Sequence, residues 1–188
     1  MCQKVSKACG ALAKLRHCVN TNVLREFYHS LFHSYVKYGI LVWGNASHTS
    51  IRPLQVLMNK ALKIMTFSPF GRIDIKPLYD YLKILDIQSI FSLETGKFVF
   101  KEKRNLLPVR IGDYFSNKVR IMTSSYNLRS NSLPLLSYRL STTEQKSISS
   151  RGQLVWNRIP DNIRFDSPSF LSFKYHYKEY LFDQMYMD

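Results

Sequence analysis

Residues 21–44, TNVLREFYHSLFHSYVKYGILVWG, carry the longest helical pattern in the chain. Val23, Phe27 with Leu24, Leu31 with Tyr28, Tyr35 and Tyr38 recur at spacings of three and four. Phe32, Gly39, Val42 and Trp43 widen that stripe into a broad apolar band. Glu26, Ser30, Ser34 and Lys37 take the remaining face, with His29 and His33 beside them. Thr21 or Asn22 is placed to cap the start by accepting an orphan backbone N–H. So wide a band needs neighbours on more than one side, and the stretch reads as the central helix of a small bundle.

Its partners lie on either side in the chain. Residues 4–18, KVSKACGALAKLRHC, form a shorter amphipathic helix with Val5, Ala8, Leu12, Leu15 and Val19 as its stripe. Lys7 and Lys14 share the far side, and Lys4 and Arg16 flank the stripe. After a polar connection at 44–50 comes a third helix, with Ile51, Leu54, Leu57, Met58, Ala61, Leu62 and Met65 inward and Arg52, Lys60 and Lys63 outward. These three helices make one unit over 1–68. Pro69 and Gly71 then break the pattern.

A helical extension follows over 69–110. Pro77 suits a first helical position, and Leu78, Tyr81, Leu82 and Leu85 give a short helix. Asp86 caps a longer one through Ile87, Ile90, Phe91, Leu93, Phe98 and Val99, with Gly96 a weak spot. Periodicity fades over 111–150, where Ser, Thr and Asn are frequent and short strands are placed at Tyr114–Phe115 and Leu135–Leu140. The tail at 151–188 regains order. Leu154, Val155, Trp156 and Ile159 fill a short segment that ends at Pro160. Ser167 and Pro168 signal a final helix lined by Phe170, Phe173, Tyr177 and Leu181. The fold class is mainly α, an N-terminal bundle with further helices behind it.

Charge narrows the partner. The formal charge of the 188-residue chain is +14, which favours a polyanion, either nucleic acid or an acidic membrane surface. Residues 1–66 hold nine Lys/Arg against the single acid Glu26, whereas residues 151–188 are balanced. The first third is therefore where a polyanion binds, unless its basic face is merely solvated. The three cysteines, Cys2, Cys9 and Cys18, cannot close a disulfide framework and fit free thiols in a reducing compartment. Met1 to Gly10 is polar and basic, unlike a secretory signal. Phe27 to Trp43 is interrupted by His29, His33 and Lys37, whereas a membrane span needs about 20 mainly apolar residues. A soluble protein with no membrane partner is expected.

No active site is legible. Polymerase chemistry needs clustered carboxylates to hold Mg²⁺, but the thirteen acids are scattered and Asp74, Asp80 and Asp86 stand six apart. Phosphate-cradling glycine loops and serine elbows are missing. His29 and His33, with Cys18 or His17 from the preceding helix, come nearest to a zinc set but lack paired-cysteine spacing. Two histidines on a helix flank are more often surface residues or hydrogen-bonded to neighbours, so no metal ligand is assigned. Trp43 and Trp156 read as core rather than as stacking surfaces. Tyr126 and Arg129 sit in a polar segment, as a base-and-phosphate grip or as turn residues.

Several segments together resemble one family. YGILVWGN at 38–45, LQVLMNKALKIM at 54–65, LKILDIQSI at 82–90, NLLP at 105–108 and YNLRS at 126–130 follow one another in its order. RGQLVWNRIPDNIR at 151–164 and SPSFLSFKYHYKEYL at 167–181 complete the set. In that order they are similar to the region after the polymerase palm in non-LTR (LINE/jockey-like) retrotransposon reverse transcriptases. The resemblance implies that the first three helices are the thumb and that the rest is a C-terminal region binding element RNA or target DNA. The palm aspartates, the Phe-Leu-Gly hairpin before the thumb, the upstream endonuclease and the CCHC knuckle of some relatives have no counterpart here. On that likeness the chain is a truncated copy starting at an internal methionine, not an enzyme by itself. Mg²⁺ would belong to the missing palm, so no cofactor is expected.

The implied partners are RNA, an RNA–DNA hybrid or DNA, together with the missing palm, and no small-molecule substrate. Family analogy places the chain in the nucleus or the cytoplasm. Phosphate-binding candidates are Lys4, Lys7, Lys14 and Arg16, joined by Lys60 and Lys63 if their helix shares that face, with Arg129 as an outlying choice. A protein-interaction module that packs against a palm, or a transposon remnant without function, are the competing readings.

Overall fold

The computed structural model describes residues 2–69, 73–111 and 147–187. Among them the chain is mainly helical and contains no strand. The strands expected at Tyr114–Phe115 and Leu135–Leu140, together with Tyr126 and Arg129, lie outside the described residues. Two compact units divide the chain, Met1–Phe91 with Leu181–Asp188, and Ser92–Tyr180.

In the first unit α1 (Cys2–Leu15) buries Val5, Ala8, Cys9 and Leu12, close to the expected stripe. It packs chiefly on α5 (His48–Met65), whose buried residues are Leu54, Met58, Ala61, Leu62, Ile64 and Met65. The Ser47 side chain caps α5 by accepting from the Ser50 N–H at 3.4 Å.

The stretch between them departs from expectation in two ways. It is not one helix. α2 (Thr21–Phe27) begins behind Asn20, whose side chain accepts from the Val23 N–H at 3.0 Å. A π-helical segment follows at Tyr28–His33, then α3 (Ser34–Lys37), and the chain turns before α4 (Ile40–Trp43). Gly39 makes that turn at φ 64°, a left-handed conformation that costs glycine little.

The buried face also differs. Leu24, Tyr28, Phe32, Val36 and Ile40 are fully buried, while Val23, Leu31, Tyr35, Tyr38 and Val42 are exposed. The π segment explains why a strict four-residue stripe stays on one face. Four residues overshoot a 3.6-residue α turn, so such a stripe winds around the helix. The i→i+5 bonding of a π turn needs more than four residues, which reverses the winding. Trp43 does not close the core either. It is half-buried, and its indole N–H donates to the Tyr38 carbonyl at 2.9 Å, an orphan acceptor at the end of α3. The contact surface falls to Gly44, where a Cβ would lie 2.4 Å from Phe91 and 2.5 Å from the Ile40 carbonyl.

Pro77 opens α6 (Lys76–Leu82) as expected, but Tyr79 is the buried tyrosine and Tyr81 faces outward. The Tyr79 hydroxyl donates to Asn59 Oδ1 at 2.7 Å and accepts from Gln55 Nε2 at 2.6 Å. Burial drives its phenol above the ordinary range. Gln55 Oε1 accepts from the Ile87 N–H at 3.3 Å, and Asp86 Oδ1 from the Ser89 N–H at 2.8 Å. Both satisfy donors at the start of α7 (Ile87–Lys103). The Asp86 cap read from sequence is in place.

In the second unit, the aromatic core joins Phe100 to Phe173 (ring centroids 4.5 Å) and Phe173 to Trp156 (5.7 Å). Trp156 belongs to α8 (Ile148–Arg158), which a short α9 (Asp161–Phe165) follows. Gly96 is a contact point rather than a weak spot, because a Cβ there would stand 2.5 Å from the Tyr177 ring. α10 (Phe170–Met187) starts later than expected. Ser169, not Ser167, accepts from the Ser172 N–H at 3.1 Å. Ser167 is buried and donates to the Ile163 carbonyl at 2.8 Å.

Candidate nucleic-acid interface

The candidate residues sort onto three surfaces of the first unit. Lys7 and Lys14 are one heptad apart, so about 20° separates them around α1. Both are exposed, on the side away from Val5, Ala8 and Leu12. Lys4 lies on one flank, its ammonium 5.8 Å from the Tyr35 ring centroid. The opposite flank meets α5, where Cys9 Sγ donates to the Leu57 carbonyl at 3.5 Å. Lys60 is exposed beside that seam, near enough for its charge to act on the Cys9 thiol. Burial outweighs that attraction and pushes the thiol up to about 11. Lys63 is half-buried on the same helix.

Arg16 falls just beyond α1 rather than on its flank. Its guanidinium covers the Phe67 ring at 4.3 Å, a cation–π distance. Phe67 has φ 55°, uncommon for a bulky residue. The backbone there closes α5 as a left-handed C-terminal motif, with the Ser68 N–H donating to the Lys63 carbonyl at 3.0 Å. Arg16 is thus tied to the end of the helix carrying Lys60, and only Arg129 of the candidate set lies outside the described residues.

Among the described residues no carboxylate pairs with Lys4, Lys7, Lys14 or Lys60. Three acids are paired elsewhere. Asp80 pairs with Lys83 at 2.5 Å, Glu94 with Lys97 at 2.8 Å and Asp161 with Arg164. Unpaired ammonium groups on a rigid helix suit phosphate oxygens, whose contacts position a polyanion without reading its sequence. His29 and His33 pack edge to face at 5.3 Å inside the π segment. Among the described residues no group of three His, Cys, Asp or Glu side chains is arranged to hold a metal ion. Nor is any described helix long and apolar enough to cross a membrane.

Two features escaped the sequence reading. Tyr35 and Tyr38 are surface residues instead of core, a difference that the four-residue frame of Leu24, Tyr28, Phe32, Val36 and Ile40 signals once chosen. The Arg16–Phe67 stack had no local signal, since it joins residues far apart in the chain. No protein-family model, curated protein or solved structure matches the chain.

Proposed function

We propose that this chain is a non-catalytic, nucleic-acid-binding part of an RNA-directed DNA polymerase of the non-LTR retrotransposon kind. It grips template–primer or element RNA through the basic surface of α1 and the neighbouring end of α5, and so acts as a thumb beside a separate palm. The observation that carries this reading is the pair Lys7 and Lys14, exposed on one face of α1 with no carboxylate partner among the described residues. The nine-to-one excess of basic over acidic residues in 1–66 supports it, as does the ordered resemblance of the segments quoted above. Residence in a reducing intracellular compartment, nuclear or cytoplasmic, goes with it.

The test is a salt titration of binding to an RNA–DNA hybrid. Affinity at low salt should fall with a log–log slope of several units. Lys7→Glu with Lys14→Glu should weaken binding to every sequence alike and reduce the slope by about two. A folded, monomeric sample that binds no hybrid at low salt defeats the proposal.

A further inference from the structure

We propose that the corner at Gly39 is a stacking platform for unpaired nucleotides, with Tyr35 and Tyr38 receiving bases and Lys4 the adjoining phosphate. The proposal rests on the nucleic-acid reading above and names the class of ligand, single-stranded RNA or DNA.

The core takes Leu24, Tyr28, Phe32, Val36 and Ile40, which turns a second apolar series outward. Leu31, Tyr35 and Tyr38, four and three residues apart on the side before the turn, are 37%, 40% and 82% exposed. Singly exposed apolar residues are ordinary, but a series along one face marks a binding surface.

The corner is also held in shape. Gly39 turns the chain at φ 64°, and the Trp43 indole N–H ties the Tyr38 carbonyl at 2.9 Å. Tyr38 therefore stands on a braced backbone, which lowers the ordering cost of binding.

Charge selects the occupant. The Lys4 ammonium lies over the Tyr35 ring, 5.8 Å from its centroid, so a cation borders the exposed rings and is at hand for the phosphate of a strand that displaces it from the ring. Residues 1–66, to which Lys4 belongs, hold nine basic residues against one acid. A polyanion with flat apolar faces matches both features. Bases within a duplex are already stacked on one another, so the matching ligand is a single strand. Lys4 lies at the edge of α1 and makes the platform continuous with the phosphate grip at Lys7 and Lys14.

The test measures the full chain against roughly 12-nucleotide single strands of RNA and of DNA, and against the RNA–DNA hybrid. Tyr38→Ser should weaken single-strand binding about tenfold while leaving hybrid affinity within about twofold. Tyr38→Phe, which keeps the ring, should bind as the native protein does. The RNA and DNA arms show which strand the platform prefers.

If Tyr38→Ser leaves single-strand affinity unchanged while the Lys7→Glu/Lys14→Glu protein loses hybrid binding, the platform is wrong and the phosphate grip stands. If the native chain binds neither ligand, both proposals fall. If Tyr38→Ser instead abolishes self-association in sedimentation, the face is a contact between copies of this chain and the platform is overturned.

Discussion

Packing of the Cys9 thiol against α5 couples the stability of the first unit to pH. The folded thiol ionises at about 11 and the unfolded one at 9.0. Because its proton is held more tightly in the folded chain, Cys9 contributes fully below about pH 9, and that contribution is lost as pH rises through about 11. The loss is on the order of 2 kcal/mol. Buried Tyr28, whose hydroxyl has no partner among the described residues, shifts in the same direction. Denaturant unfolding of the native chain and Cys9→Ala across this range should give a shallower decline for the variant, and parallel declines would reject the coupling. At this scale Lys7 and Lys14 were legible from their heptad spacing alone. Tyr38 was not, because a tyrosine on a broad apolar band fits a core or a surface equally well.

For the stretch Thr21–Trp43, helical character was readable, but its division at the π segment and at Gly39 and its buried frame were not. Apolar residues occupy so much of its circumference that periodicity admits two faces, one through Phe27, Leu31 and Tyr35 and one through Leu24, Tyr28 and Phe32. An α-helical period favours neither, since the second face stays aligned only with the π turn. The two frames differ measurably. Phe32→Ala should cost about 3–5 kcal/mol by emptying a filled site. Leu31→Ala, at a position 37% exposed, should cost less than about 1 kcal/mol. Thermal or denaturant unfolding of the two variants decides the frame, and a larger loss for Leu31→Ala would refute it. The cap at Asp86 was legible because capping is local. The cap at Ser169 was misplaced by two residues because Ser167 and Ser169 offer the same chemistry, and burial of Ser167 made the choice.

For the whole molecule, the net charge of +14 makes self-repulsion a standing cost. Modest salt should therefore raise the unfolding midpoint while weakening the proposed nucleic-acid binding, because ions screen both interactions. Thermal melts between about 0.02 and 0.3 M NaCl test this, and a midpoint that falls with salt would show that attractive pairs dominate. The mainly helical class and the concentration of positive charge near the N-terminus both follow from composition and periodicity, which are additive along the chain. The seam at which Lys60 meets α1 is not additive in that way, since it depends on how two helices dock.

By itself the sequence determined that the described chain would be mainly helical, most of the residues that α1 and α5 turn inward (Cys9 and Ile64 excepted), and where α6 and α7 begin. These outcomes depend on contacts within a few residues, so the local pattern contains them. Only the tertiary structure decided which face of Thr21–Gly44 is buried and that Trp43 spends its N–H on the turn at Gly39. It also decided that Arg16 stacks on Phe67. Each depends on atoms brought together across the bundle, where packing selects one of several arrangements that local propensity leaves nearly equal.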